Sequence, residues 1–272
     1  MKKKIIVMPN KNNLDIVLNS NVDGIILPIK DLSVESDIYF TVNDVKKILN
    51  RTIKEVCVSI NKIFHDNDLK NLELTLMELN KLNISKIFFY DVCVIKMCND
   101  LGINKELVIT QEHLNASGIT NSFYYTKGVK YSLITNDITI DEVNEISKDI
   151  KLMMICYGYL PIFYSRRYLI TNYLKHINRD DDSDIYYIKN EDDYYPISEE
   201  EYGTCIYTSR PINLINYIDK LNIDYIILNS FNISNDKFTE VLEDYINNKK
   251  SNDEEYLGFL NEKTIYKVKD NE

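Results

Sequence analysis

Ile5-Ile6-Val7-Met8 is stopped by Pro9-Asn10; Leu14, Ile16, Val17 and Leu18 then recur at helical spacing, and Gly24-Ile25-Ile26-Leu27-Pro28-Ile29 opens a second apolar run. Runs this short cannot be helices, and their apolar residues are continuous, not alternating, so both faces are destined for burial. A buried strand, a helix and another buried strand make a βαβ unit, whose strands lie parallel. The fold follows from asking how often this unit repeats.

Thr41 is a good N-cap for a helix carrying Val42, Val45, Ile48 and Leu49 on one side. A third strand is expected over Glu55 to Ile60, followed by a helix from Asp68 to Leu82 whose Leu69, Leu72, Leu76, Leu79 and Leu82 form its apolar face. Lys86 to Tyr90, Glu106 to Thr110, Tyr131 to Thr135 and Leu152 to Cys156 supply strands four to seven. The sixth precedes a helix over Asp141 to Ile150, the seventh an amphipathic stretch from Ser165 to His176. From Asn178 to Arg210 the rhythm breaks into a segment rich in Asp, Glu and Tyr, with strand-like pieces at Ile185 to Lys189 and Cys205 to Ser209. A last unit reads as helix over Ile212 to Leu221, strand over Tyr225 to Leu228 and closing helix over Phe238 to Ile246. Eight strands with intervening helices predict a (β/α)8 TIM-like barrel, and 272 residues suffice for one. The expected division is a barrel over 1–248 with an inserted acidic hairpin region at about 178–210. A short C-terminal extension, 249–272, follows, in which Thr264 to Val268 alternates like an edge strand.

Composition excludes several classes. At 44% hydrophobic and 27% charged the chain is that of a folded globular protein, not a disordered one. A net charge of −10, with acidic residues clustered between Asp180 and Glu201, disfavours nucleic-acid partners, since phosphate contacts require Lys or Arg. There is no signal-peptide pattern and no membrane-length apolar run, so a cytoplasmic location with reduced thiols is expected. The five cysteines show no metal-ligand spacing, and no phosphate-binding glycine loop or zinc motif is present, so neither a metal nor another cofactor is predicted.

In a barrel the chemistry gathers at the C-terminal strand ends. That places Asn61, Gln111, Asp137 and Tyr157 on the active face, with His113 just beyond the fifth strand. Ser165 beside Arg166 and Arg167 offers a hydroxyl and two guanidinium forks suited to a carboxylate or phosphate. The same three residues also fit a helix cap and partners for the acidic segment. Tyr157 stands where a base is wanted, although a phenol with an ordinary pKa near 10 is a weak one at neutral pH.

Several segments, in order, resemble peptidase family U32, the collagenase-like peptidases. They are Val58 to His65, Ile109-Thr110-Gln111 with Asn115, Leu133 to Thr139, Tyr202-Gly203-Thr204, Gly258-Phe259-Leu260, and above all Gly158 to Tyr173. The resemblance implies a barrel catalytic domain and a peptidase activity without an assigned triad or metal. Relatives of another kind hydroxylate RNA bases or quinone precursors without oxygen, using a four-iron cluster held by cysteines. Where those carry cysteines this chain has Pro161 and Tyr168, and Asp180 to Asp193 replaces their cysteine-rich stretch. Tyr157 stands for the family's usual histidine and Asp137 for its usual glutamate. Ile227 and Asn229 stand for the lysine and glutamate of longer members. The expected function is a U32-type peptidase in which Gln111 orients a peptide or small-molecule substrate, Asp137 acts as acid or base, and Arg166 or Arg167 binds an anionic group. The alternative is a non-catalytic or accessory paralogue that binds a small molecule or partner protein. RNA hydroxylation ranks third. A homo-oligomer, or a hetero-oligomer with a related family member, is compatible with either of the first two.

Overall fold

A computed structural model describes residues 2–262 apart from 112–114, 148–149, 182, 184 and 252–254. The repeats are in place from the start, and they include helices after the fourth and fifth strands that were not expected from the sequence: β1 (Lys4–Met8), α1 (Leu14–Asn19), β2 (Gly24–Pro28), α2 (Val42–Leu49), β3 (Glu55–Ile60), α3 (Leu69–Asn80), β4 (Lys86–Phe89), α4 (Cys93–Asp100), β5 (Glu106–Ile109), α5 (Gly118–Thr126), β6 (Val129–Leu133), α6 (Ile140–Ile146) and β7 (Lys151–Gly158). Their residues explain them. β2 is buried along its whole length, as its unbroken apolar run requires. α2 and α6 both start on a capping box, Thr41 with Asp44 and Thr139 with Glu142, which satisfies orphan amides at each helix start.

After β7 the chain leaves the barrel. β8 (Pro161–Ser165), α7 (Leu169–His176), β9 (Tyr186–Asn190), β10 (Asp193–Glu200) and β11 (Gly203–Tyr207) build a second, antiparallel sheet in the order β8-β11-β10-β9. The excursion therefore starts just past Gly158, well before the Asn178 expected from composition. The helix read after the seventh strand exists but belongs to this sheet, where the Glu199 carboxylate accepts from the Ile170 and Thr171 amides (2.8 and 3.0 Å) and so caps it. Periodicity had located the helix, not the surface that receives it. A further correction concerns Ile212 to Leu221, read as helix. It holds a two-residue strand, β12 (Ile212–Asn213), antiparallel to β7, and one 3-10 turn. Its apolar residues are spaced for burial, but Pro211 and the bond from Leu214 N–H to Cys156 C=O hold the segment extended along β7. β13 (Tyr225–Asn229) and α8 (Asn235–Asn247) complete the set.

β13 pairs in parallel with both β1 and β7, and β6 with β7, so eight parallel strands close into a (β/α)8 barrel. Beyond α8, Tyr256 C=O accepts from Asn213 N–H and Leu260 C=O from Ile140 N–H (both 3.0 Å), laying the C-terminal segment beside the ends of β6 and β7. The strand-like Thr264 to Val268 lies outside the described residues. Among the described residues, no helix is long and apolar enough to cross a membrane.

The floor of the barrel, at the N-terminal strand ends, is charged. Lys86 is 2% exposed, and its ammonium meets the carboxylates of Glu55 and Glu106 while lying 4.9 and 5.0 Å from the ring centres of Tyr131 and Tyr225. Partners on β3, β5, β6 and β13 can surround one ammonium only inside the barrel. Burial pushes the Glu55 carboxyl up, but hydrogen bonds from Lys86, Ser85 and Lys4 outweigh it and hold the group below the usual carboxylate range.

Candidate active site at the barrel mouth

The antiparallel sheet stands over the opposite, C-terminal end of the barrel. Tyr207 of β11 stacks on Phe231, just past β13, with ring centres 4.1 Å apart. The Tyr202 hydroxyl donates to the Asp31 carboxylate in the loop after β2, and Lys62, just past β3, lies over the Tyr202 ring. Two glycines permit tight backbone contacts, one within each sheet. A Cβ on Gly158 (φ +120°), at the end of β7, would meet Asn229 O of β13 at 2.3 Å, and one on Gly203 (φ +140°), at the start of β11, would meet Ser165 O of β8 at 2.1 Å. Both glycines fall in motif segments, and each is there for the packing of its own sheet.

Between sheet and barrel lies a cleft of about 270 Å³. Thr135, Asn136 and Asp137 from the end of β6 form one wall, and Asp193 and Tyr195 of β10 another. Arg210, Tyr256 and Phe259 close it, with β8 crossing at Pro161 and Ile162. Asp137 is held by a reciprocal pair of bonds: the Thr135 hydroxyl donates to its carboxylate (3.0 Å), and the Asp137 N–H donates back to that hydroxyl (3.1 Å). Asn136 donates to Ile155 C=O (2.9 Å), fixing the turn that presents Asp137. The Arg210 guanidinium lies 5.0 Å from the centre of the Tyr256 ring, a cation over an aromatic face. A second cleft, of about 290 Å³, lies across β8 and is lined by Glu35, Asn61, Tyr90 and Tyr164. Asn61 clamps the loop there, accepting from Val34 N–H (3.0 Å) and donating to Val34 C=O (3.2 Å). Asp31 and Glu35 in this loop both have left-handed backbones (φ 68° and 63°), a conformation unfavourable for such residues and one that concentrates where a ligand is gripped.

The residues expected to act together are only partly brought together. Asp137 lines the first cleft and Asn61 the second. Gln111 lines neither; its amide accepts from the Tyr124 hydroxyl (3.0 Å) and donates to Tyr90 C=O (3.4 Å), so it braces the wall. Asn115, from the same motif, donates to Leu133 C=O (3.0 Å) and ties that loop to β6. Tyr157 faces away. A bulge in the β7–β13 pairing, where Ile155 opposes Ile227 but Tyr157 opposes Leu228, reverses the alternation; Ile155 lines the cleft while Tyr157 packs edge-on against Tyr245 of α8. Burial, reinforced by Tyr159 and Glu240, pushes the Tyr157 phenol up to about 12, further from a base's range. Ser165 accepts from Arg167 N–H (3.2 Å) and is not the helix cap considered from sequence. Arg166 and Arg167 are exposed on the sheet and line neither cleft; burial pushes the Asp68 carboxyl up, but the His65 N–H and the Lys62 ammonium hold it low, and Arg166 is near enough to add to them. His113 lies outside the described residues. The residues missed from sequence are Asp193, Tyr195, Arg210, Tyr256 and Phe259. All are distant in the chain from the barrel strand ends; Phe259, in the motif segment Gly258-Phe259-Leu260, and Arg210, a scarce cation following a strand-like run, were the ones with a local signal.

A model of peptidase family U32 matches residues 10–256. The chain belongs to this family. Over 195 residues it is 25% identical to "tRNA hydroxylation protein P2" of Bacillus subtilis, covering 67% of this chain and 63% of that one. Over 134 residues it is 24% identical to "Uncharacterized protease MJ0090" of Methanocaldococcus jannaschii, 46% and 32% of the two chains. The matched part is thus less than two thirds of either relative's length. The solved U32 peptidase Mk0906 shares the fold at a TM-score of 0.54 and 13% identity, over 84% of this chain and 92% of that one.

An iron cluster of the kind some U32 relatives carry needs several thiolates around one point. The five cysteines do not converge: Cys57 lies near the barrel floor beside Glu55, Cys93 and Cys98 are on α4, Cys156 on β7 and Cys205 in the second sheet. Among the described residues, no group of three or more His, Cys, Asp or Glu side chains could hold a metal ion. The residues present do not fit the group.

Proposed function

We propose that this U32 protein is a peptidase-type hydrolase working in the cleft between β6 and the antiparallel sheet. The observation that carries the reading is the setting of Asp137: a positioned carboxylate at a C-terminal strand end, in a cleft walled by aromatic rings and closed by a guanidinium. Tyr195, Tyr256 and Phe259 suit an apolar side chain of a peptide. Asp137 would accept the proton of a water attacking the scissile carbonyl, and Arg210 would balance the charge that develops on its oxygen. Asp137, now protonated, would pass that proton to the scissile nitrogen as the C–N bond breaks, and Asp193, from the opposite wall, would hold the departing amine. Peptide cleavage, followed by mass spectrometry on denatured collagen and a mixed peptide library, is expected to fall by about 10²- to 10⁴-fold in Asp137→Asn, the usual worth of a general base. Tyr157→Phe should leave it unchanged. Cleavage that survives Asp137→Asn would refute the assignment.

One observation favours a second reading, a barrel that binds peptide without cutting it: the described lining residues of the cleft include no histidine, cysteine or lysine. Saturable binding of library peptides, lost in Arg210→Ala without cleavage in the wild type, would establish that reading. Hydroxylation of tRNA is the role in the name of one relative; the scattered cysteines here weigh against the cluster-dependent form of that chemistry.

A further inference from the structure

The net charge of −10 conceals a local field of the opposite sign. At the N-terminal end of the barrel, remote from the mouth, a basin of about 950 Å³ is lined by six lysines, Lys2, Lys3, Lys4, Lys130, Lys151 and Lys220. Its carboxylates are already committed: Asp219 pairs with Lys250 (2.8 Å), and Asp224 accepts from Leu152 N–H (3.0 Å). Lys4 and Lys130 reach the floor carboxylates Glu55 and Glu106. The other four have no carboxylate within ion-pair distance among the described residues, although Lys3 is near enough to Asp219 to add to the hold of Lys250 on that carboxyl; Lys151 and Lys220 sit over the rings of Tyr131 and Tyr217, at 5.4 and 4.9 Å. Gathering that many ammonium groups around one concavity costs free energy through mutual repulsion, and anions arranged in the basin would relieve it. Tyr125, 60% exposed, stands at the same basin and offers a flat aromatic face.

We propose that this basin is a binding site for a phosphate-bearing polyanion of about nucleotide size, its phosphates on Lys2, Lys3, Lys151 and Lys220 and a planar group against Tyr125. The volume falls in the range of small-ligand sites, and clustered lysines with an adjacent aromatic ring suit a chain of phosphates followed by a base. The chemistry has two sources, a free polyphosphorylated nucleotide or a stretch of single-stranded RNA backbone. The site is independent of the mouth cleft.

The test uses the full chain with two probes, inorganic tripolyphosphate by calorimetry and a fluorescent seven-nucleotide oligouridylate by anisotropy, each at several salt concentrations. Lys151→Glu/Lys220→Glu and Lys2→Glu/Lys3→Glu are compared with Lys189→Glu on the antiparallel sheet, all at surface positions where the melting temperature should hold. Binding weakened about tenfold or more in both basin variants and unchanged in Lys189→Glu supports the site, that factor being the scale of lost charge-assisted contacts. If tripolyphosphate binds and displaces the oligonucleotide, the ligand is a free polyphosphate. If only the oligonucleotide binds, with a logarithmic salt slope of about −0.7 per contacted phosphate, it is RNA backbone. Failure of both probes to bind, or equal weakening in Lys189→Glu, overturns the proposal.

Discussion

The two ends of the barrel use charge in opposite ways. Just inside the floor, beneath the lysine basin, the Lys86 ammonium is buried against Tyr131 and Tyr225 and paired with Glu55 and the partly exposed Glu106. At the mouth, Asp137, Asp193 and Arg210 line an open cleft and are contributed by three separate segments. A buried charge with a partner specifies structure, because removing the partner is so costly. A charge in a cleft is left able to meet something that is not protein. Barrels of this class generally divide stability and chemistry between their two ends in this way.

The largest test of the contrast is at the floor. Lys86→Met should cost about 3 to 5 kcal/mol in urea unfolding, because Glu55 and Glu106 lose a buried counter-charge. Asp137→Asn, at the mouth, should shift stability by no more than about 0.5 kcal/mol. A Lys86 variant no less stable than an exposed control such as Lys96→Met would break the comparison. The acid limb sharpens it. With its carboxyl held low in the folded state, Glu55 contributes stability that is fully present above its unfolded pKa of about 4.3 and lost as pH falls through the lower folded value. Wild-type stability should therefore fall on acidification below about pH 4, and Lys86→Met should lack much of that component.

The end of β7, where the chain leaves the barrel for the second sheet, comes next. Gly158→Ala forces a side chain toward Asn229 O in a left-handed backbone and should cost about 1 to 3 kcal/mol, read from the thermal midpoint. An unchanged midpoint would mean that the crossing from barrel to sheet is more pliable than its geometry. A smaller effect than that of Gly158→Ala belongs to Tyr202→Phe, which removes a half-exposed bond to Asp31 and should cost at most about 1 kcal/mol. Its clearer readout is faster proteolysis within 161–207, where the sheet is fastened to the mouth. A loss as large as that of Lys86→Met would show that the sheet belongs to the barrel's core.

The barrel was legible in the sequence because most of its strands are short apolar runs and helices such as α2, α3 and α6 carry 3.6-residue stripes, local patterns visible within a few residues of Ile5, Ile25 or Leu72. The sequence also placed Asn61 and Asp137 at strand ends and, through the ordered motif segments, pointed to the family. What it could not carry was proximity between residues far apart in the chain. The tertiary structure brought Asp193, Arg210 and Tyr256 to Asp137, assigned α7 to the second sheet, and gathered lysines from the N-terminal residues, the starts of β6 and β7 and the segment before β13 around one basin. The fate of Tyr157 shows why. Its place at a strand end was right, but one extra residue in the β7–β13 pairing turned its side chain from the mouth to the helix layer. A bulge depends on two strands that meet only after folding, and no single strand's sequence encodes it.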